Sequence, residues 1–520
     1  MAARLPDIDP DAGPRSCRCR ERAEETDVSQ PTVGRSRTDG GGTLFGRRPV
    51  RGSHVMTRTL TEPLQSFRKV FDGELITSAE EATYDAVRAL WNTDIDRRPA
   101  VIARCVNRSD VAAAVNFARE HELEIAVRCG SHNAAGTAGC DDGLMIDLSL
   151  MRSVAVDPPA RRVRVAGGAL LGDMDAATQE HGLATTAGTV SHTGVGGLTL
   201  GGGFGWLGHR HGLAVDNLVS AEVVTADGQI RRASQEENSD LYWALRGGGG
   251  NFGVVTEFEF RLHDVGPMID FGMLFYPLEQ GGQALRIGRE VVAAASRDVT
   301  VFMVALNAPP EEFVPAEHRF KPGFAVLLAG FGGDDEHSEL CQRVRSAAPP
   351  LFELVDRIPY VGLQQMLDEA NAWGLYCYEK GCNLEELTDE AIVDIVEHVS
   401  RKNSPLTYVA FIPFGGAYED VGADDTAFGG PRSGYGVYAI GLTETPEQLP
   451  AERDWVRSFW QALQPHASGI GTYVNTMVEL DEDRIRASYG PNTYARLAEI
   501  KRRYDPDNLF HLNANIKPAG

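Results

Sequence analysis

Eight of the fifteen residues from Gly194 to Gly208 are glycine, interleaved with Val, Leu, Thr, Phe and Trp and free of charge. Glycine costs roughly 0.5–1 kcal/mol at each interior helix or strand position, so the run is not one regular element. A solvated linker would be polar. It reads either as a tightly turning core loop or, better, as a buried loop packed against a flat, partly apolar ligand. Two further clusters, at 128–143 and 246–253, hold much of the remaining excess: 56 glycines in 520 residues, against an ordinary share of roughly 7%. Glycine gathered in this way means that backbone approaches something closely or takes positive φ.

The rest of the composition is that of a folded soluble chain, 42% hydrophobic and 24% charged, long enough for two or three domains. The formal net charge of −23 repels phosphates and anionic lipid heads, which excludes nucleic acid and membrane as main partners. No stretch approaches the roughly 20 apolar residues that span a bilayer. Eight scattered cysteines without paired CxxC spacing read as mostly reduced thiols of a cytoplasmic protein, with a disulfide pair left open. The first 55 residues carry ten Arg, no Lys and eight acidic side chains without apolar periodicity. Residues 1–56 therefore read as a disordered N-terminal extension or an added segment before a truer start at Met56.

From residue 79 helical and strand periodicities alternate. Helices are expected over 80–90, 110–120 (capped by Ser109) and 171–179. Strands are expected over 99–105, 124–128 and 144–148, with alternating character over 154–165 and a hairpin over 219–232 turned at Asp227-Gly228. Between 265 and 465, strands at 271–276, 299–306, 324–331 and 408–413 alternate with helices at 282–296, 333–346 and 389–401, which predicts a separate α+β block on an antiparallel sheet. A last helix is expected over 481–504.

The glycine clusters adjoin these elements. Arg128, Cys129, Gly130, Ser131, His132, Asn133 and Gly136 follow a strand, and their N–H groups can form an anion nest, a seat for a diphosphate; a plain turn is the alternative. The third cluster lays backbone bare before an alternating strand that begins at Val254. None contains GxxxxGK[ST], and none has GxGxxG between a first strand and helix with an acidic residue downstream, which disfavours a P-loop NTPase and a Rossmann dehydrogenase. His192, His209 and His211 flank the glycine loop without a carboxylate at ligand spacing, so no metal is assigned.

In order and spacing, RCGSHNAAG (128–136), GVGGLTLGGGFGWLGHRHGL (194–213), VDNLVSAEVVTADG (215–228), DLYWALRGGGGNFGVVTEF (240–258) and YDPDNLFHLNANIKP (504–518) resemble the FAD-linked oxidases of the berberine-bridge-enzyme-like family, whose flavin domain is of the vanillyl-alcohol-oxidase or PCMH type. The resemblance covers nearly everything from residue 60 onward. It implies an α+β fold in which a two-subdomain FAD-binding domain (57–264) is rejoined by a C-terminal segment (466–520), with an inserted α+β substrate domain (265–465). It implies FAD contacts from the first motif, from Gly188, Thr193, Gly194, Gly197, Leu198, Gly203 and Gly205, from Gly253, Val254 and Val255, and from Asn475, Asn513 and Asn515. His132 holds the position bonded to the flavin 8α-methyl. The cysteine that many relatives use for a second link is replaced by Val190, so one covalent bond is expected. Thr193 stands where relatives shape the oxygen pocket with a small aliphatic residue.

Tyr473-Val-Asn475 resembles the family's strand between substrate and flavin. This makes Tyr473 the first candidate for proton acceptor, as a tyrosinate of lowered pKa, with Tyr408 the second. A carboxylate used by some plant members falls at Ala439. The implied activity is hydride removal from an alcohol or activated C–H of a small organic molecule, a secondary metabolite or sugar, with oxygen reduced to H2O2, in a monomer or homodimer. Two other readings stay open: a flavin dehydrogenase with another acceptor, and a non-catalytic flavoprotein that sequesters a drug-like ligand.

Overall fold

Short apolar strands between amphipathic helices generate three main sheets in the computed structural model, which describes residues 60–520; the expectation for residues 1–56 lies outside them. The first sheet runs Glu74–Ile76, Val101–Arg104, Leu144–Asp147, Ile125–Arg128, with the last three strands parallel. The second, antiparallel throughout, runs Val154–Asp157, Arg162–Ala166, Val254–Arg261, Leu218–Val224, Ile230–Ser234. The third has seven antiparallel strands in the order Phe352–Pro359, Met268–Pro277, Pro322–Gly330, Val299–Asn307, Tyr408–Phe414, Gly434–Thr443, Tyr376–Leu384. This is the α+β architecture with antiparallel sheets that the residue patterns predict.

The seven-stranded sheet is apolar on both faces because both are covered. Leu274, Tyr276, Val301, Val437 and Ala439 pack with residues of the helices Gly281–Ala294, Asp389–Val399 and Leu449–Leu463. Their alternates Phe271, Met273, Phe275, Tyr438 and Ile440 face Trp206, Leu213 and Val215 of the glycine-rich region together with Trp91 and Tyr473. Alternation by two along a strand thus sends neighbouring residues to different cores.

Local chemistry moves three expected boundaries. The helix Arg108–Glu120 is capped by Asn107, whose side chain accepts from Asp110 N at 2.9 Å, rather than by Ser109. Residues 154–165 form two strands of a hairpin, because Pro158-Pro159 cannot continue a hydrogen-bonded ladder. The expected helix over 481–504 is two, Glu482–Tyr489 and Pro491–Tyr504. Between them Gly490 has φ 74°, and Pro491 lacks the N–H to carry the first helix onward.

His211 and His263 stack with ring centroids 3.7 Å apart, and burial holds both neutral, with pKa values lowered to about 3 and about 4. The unfolded chain binds the protons that the folded one refuses, so their contribution is full above the ordinary histidine value and is lost as pH falls from about 6.5 toward 4. Thermal unfolding at pH 5 is expected at a lower temperature than at pH 7. In His211→Phe, which keeps a stacked ring without its proton, differential scanning fluorimetry is expected to show a smaller drop.

Candidate functional site

The strand Ile125–Arg128 delivers the first glycine motif to the second. A Cβ on Gly130 would lie 2.2 Å from the Gly194 nitrogen, and one on Gly194 would lie 2.5 Å from the Gly130 nitrogen, so the two turns touch backbone to backbone. The second motif is not all loop: Val195–Leu200 is a short helix. The third motif is fastened to the C-terminal segment through Asn251, which donates to the carbonyls of Gly248 (2.9 Å) and Ala514 (3.0 Å) and accepts from Ile516 N (3.1 Å). The segment at Tyr473, expected as a strand, is a turn of 3-10 helix over Val474–Thr476. The Thr476 hydroxyl bonds back to the Tyr473 carbonyl at 2.9 Å, and Asn475 Nδ2 donates to the Leu198 carbonyl at 3.1 Å, which curls the chain onto the glycine motif.

These segments and the seven-stranded sheet enclose one cavity. Among the residues expected at a cofactor, Cys129, Gly130, Ser131, His132, Asn133, Gly188, Thr193, Gly194, Gly197, Leu198, Gly253, Val254, Val255, Asn475 and Asn513 line it, together with Tyr408 and Tyr473. Five others stand off the wall. Arg128 turns toward Asp147, 3.9 Å away. A Cβ on Gly136 would meet Ile95 at 2.4 Å, and one on Gly205 would meet the Ala187 carbonyl at 1.9 Å, so both serve packing. Gly203 packs against Ala214 and Leu198 and gives its N–H to Tyr473. Asn515 lies just past Ala514, a wall residue, with a buried Oδ1 that has no partner. The flanking histidines do not converge: His192 is beside His132, His209 bonds to the Pro413 carbonyl, and His211 stacks on His263.

His132 stacks on Trp91 at 4.4 Å and lies 5.0 Å from His192, ring to ring. Burial, with His192 adding to it, lowers its pKa to about 3, so the imidazole is neutral, and its buried Nε2 has no hydrogen-bond partner. The phenols are not lowered as expected. Burial pushes Tyr473 up to about 12, outweighing the N–H groups of Gly203 (3.0 Å) and Asn475 (2.7 Å) that donate to its oxygen. Tyr408 is pushed up as well, and it donates its own proton to Asn371 Oδ1 at 3.0 Å. Cys129, on the same wall, is raised to about 11 by burial.

Sequence reasoning missed Trp91, Asn371 and Glu379. Tyr408, Ile440 and Glu379 are register partners on three adjacent strands, so they form one row on the cavity face. Ala439, the position matched to a plant-type carboxylate, points to the opposite face among the helices. The signal for Glu379 was present as Glu379-Lys380 inside an otherwise apolar strand. The pair splits across the sheet, and Lys380 goes to Glu479 at 2.6 Å.

The wall suits a dinucleotide with a flat ring system. Among the described residues the N–H groups of Ser131, Asn133 and Ala134 donate to nothing, and no Arg or Lys lines the cavity, so a diphosphate would be met by backbone dipoles. A Cβ on Gly197 would meet nothing within 4 Å, so this glycine opens on the cavity. Residues 99–234 match the family of FAD binding domains, and residues 472–517 match the berberine and berberine-like family. The chain is 32% identical over 461 residues to an FAD-linked oxidoreductase of Dictyostelium discoideum, covering 88% of this chain and 97% of that protein. It is 29% identical over 481 residues to (R)-6-hydroxynicotine oxidase of Paenarthrobacter nicotinovorans, covering 89% and 100%. The crystal structure of 6-hydroxy-D-nicotine oxidase from Arthrobacter nicotinovorans matches with a TM-score of 0.77 at 27% identity, over 86% of this chain and 98% of that one. A glycine-walled cavity fit for FAD and a likeness that runs through nearly all the described residues agree: the chain belongs to the berberine-bridge-enzyme-like family of FAD-linked oxidoreductases.

Proposed function

We propose that the protein is an oxidase that carries FAD on a single covalent link to His132 and oxidises an alcohol or activated C–H of a small organic molecule, a secondary metabolite or a sugar, with oxygen as acceptor. In this reading residues 57–264 and 466–520 hold the cofactor and residues 265–465 the substrate. When bound, FAD supplies the two-electron acceptor that takes a hydride equivalent and returns H2O2 with oxygen. The chain supplies the rest. The backbone N–H groups of Ser131, Asn133 and Ala134 seat the diphosphate, and Trp91 and His192 fix the ring of His132. Tyr473 takes the substrate's proton: both donors at its oxygen favour the phenolate, whereas Tyr408 is held by Asn371 as a donor.

The observation that carries the covalent link is His132 itself, a buried neutral imidazole with an unpartnered ring nitrogen on the cavity wall. Only the neutral ring has a lone pair to form the bond. Denaturing the purified protein in acid and recording absorbance and intact mass tests it. Wild type is expected to keep its yellow colour and one added flavin mass, and His132→Ala to keep neither; a colourless wild-type chain refutes the link. Val190, which lines the same wall, offers no thiol for a second bond.

A further inference from the structure

Glu379 is the one acidic side chain on the cavity wall among the described residues. Its register partner Ile440 and, one strand further, Tyr408 continue its row, so the Cα atoms of Glu379 and Tyr408 lie roughly 10 Å apart across the strands, two strand spacings. It makes no ion pair and no hydrogen bond among the described residues, whereas its neighbour Lys380 is engaged by Glu479 at 2.6 Å and by the face of Trp460 at 4.6 Å. Other titratable groups share its wall: Tyr408, Tyr473, Tyr489, Cys129, His132 and His511; burial holds His132 neutral, and His511 Nε2 turns to Glu124 at 3.2 Å. The Cys377 thiol, two residues earlier on the same strand, is buried and protonated.

A carboxylate set among apolar and aromatic side chains is costly unless something positive or strongly donating meets it. Among the described residues no such group meets it, and burial alone raises the carboxyl to about 7. Trp91, Phe204, Tyr408 and Tyr473 line the same cavity, and aromatic faces attract cations. At the Glu379 end of the cavity the arrangement favours a positively charged ligand over an anion.

We propose that Glu379 is the specificity-determining anchor of the substrate end of the cavity and that it takes the protonated amine of a cationic, amine-bearing substrate. This rests on the oxidase reading, since it names the substrate class of the same site. The pairing is a charge-assisted hydrogen bond, and the carbon to be oxidised is held between the anchored amine and Tyr473.

The test is anaerobic isothermal titration of the protein as purified, at pH 8, with 2-phenylethylamine and with its neutral counterpart 2-phenylethanol. The amine is expected to bind about 10- to 100-fold more tightly than the alcohol. Glu379→Gln is expected to reduce that preference to twofold or less while leaving the alcohol's Kd within twofold, and Glu379→Asp to keep most of it. Equal binding of the two probes by wild type overturns the proposal, as does a preference that survives in Glu379→Gln. The wild-type comparison decides even where a variant fails to fold. Calorimetric selectivity requires neither turnover nor a covalent flavin, so its outcome is separable from that of the acid-denaturation experiment.

Discussion

Tyr473→Phe is expected to lower kcat by a factor on the order of 10² to 10⁴, the range lost with a positioned acid or base, while leaving flavin content close to wild type and costing on the order of 1 kcal/mol of stability, because the buried Gly203 N–H loses its acceptor. The phenol oxygen already receives the Gly203 N–H and the Asn475 amide. In the phenolate a third lone pair remains to accept the substrate's proton. Since burial holds the group near 12, the active form is scarce at neutral pH, and kcat in wild type is expected to rise with pH through the neutral and mildly alkaline range. Steady-state peroxide release measured from pH 6.5 to 9.5 checks both points. A Phe variant that retains the alkaline rise assigns the proton to another group, and Tyr408→Phe, which removes a donor to Asn371, is expected to have the smaller effect.

Gly130→Ala is expected to destabilise the protein by on the order of 3 kcal/mol, at the upper end of overpacking costs, and to leave it with little flavin. The added methyl would sit 2.2 Å from the backbone nitrogen of Gly194. Backbone gives way only by moving, so the two motifs would part and the cavity wall would open. Gly197→Ala separates packing from cradling: its Cβ meets nothing within 4 Å beyond its own helix, so its unfolding temperature should be no lower than that of wild type while flavin per chain falls. Thermal scanning together with flavin absorbance per mole of protein distinguishes the two; an ordinary unfolding temperature for Gly130→Ala contradicts the packing argument.

Glycine without charge, placed between strands and helices, determined from sequence alone that this chain surrounds a ligand with bare backbone. Five sequence blocks in order, three of them glycine-rich, pointed to the family, and the alternating strand and helix periodicities of 265–465 pointed to the antiparallel α+β architecture. Those signals are local: a turn that must be glycine shows as glycine wherever it is read. Which glycines face the ligand was not local, because Gly197 and Gly205 look alike in the sequence, and only the approach of the Ala187 carbonyl to Gly205 separates them. The same holds for acids. Glu379 and Lys380 read as one charge pair, and only the register of three strands sends one into the cavity and the other to Glu479. The protonation of Tyr473 was likewise a tertiary matter, decided by burial against two donated N–H bonds, one of them from the backbone 270 residues earlier in the chain.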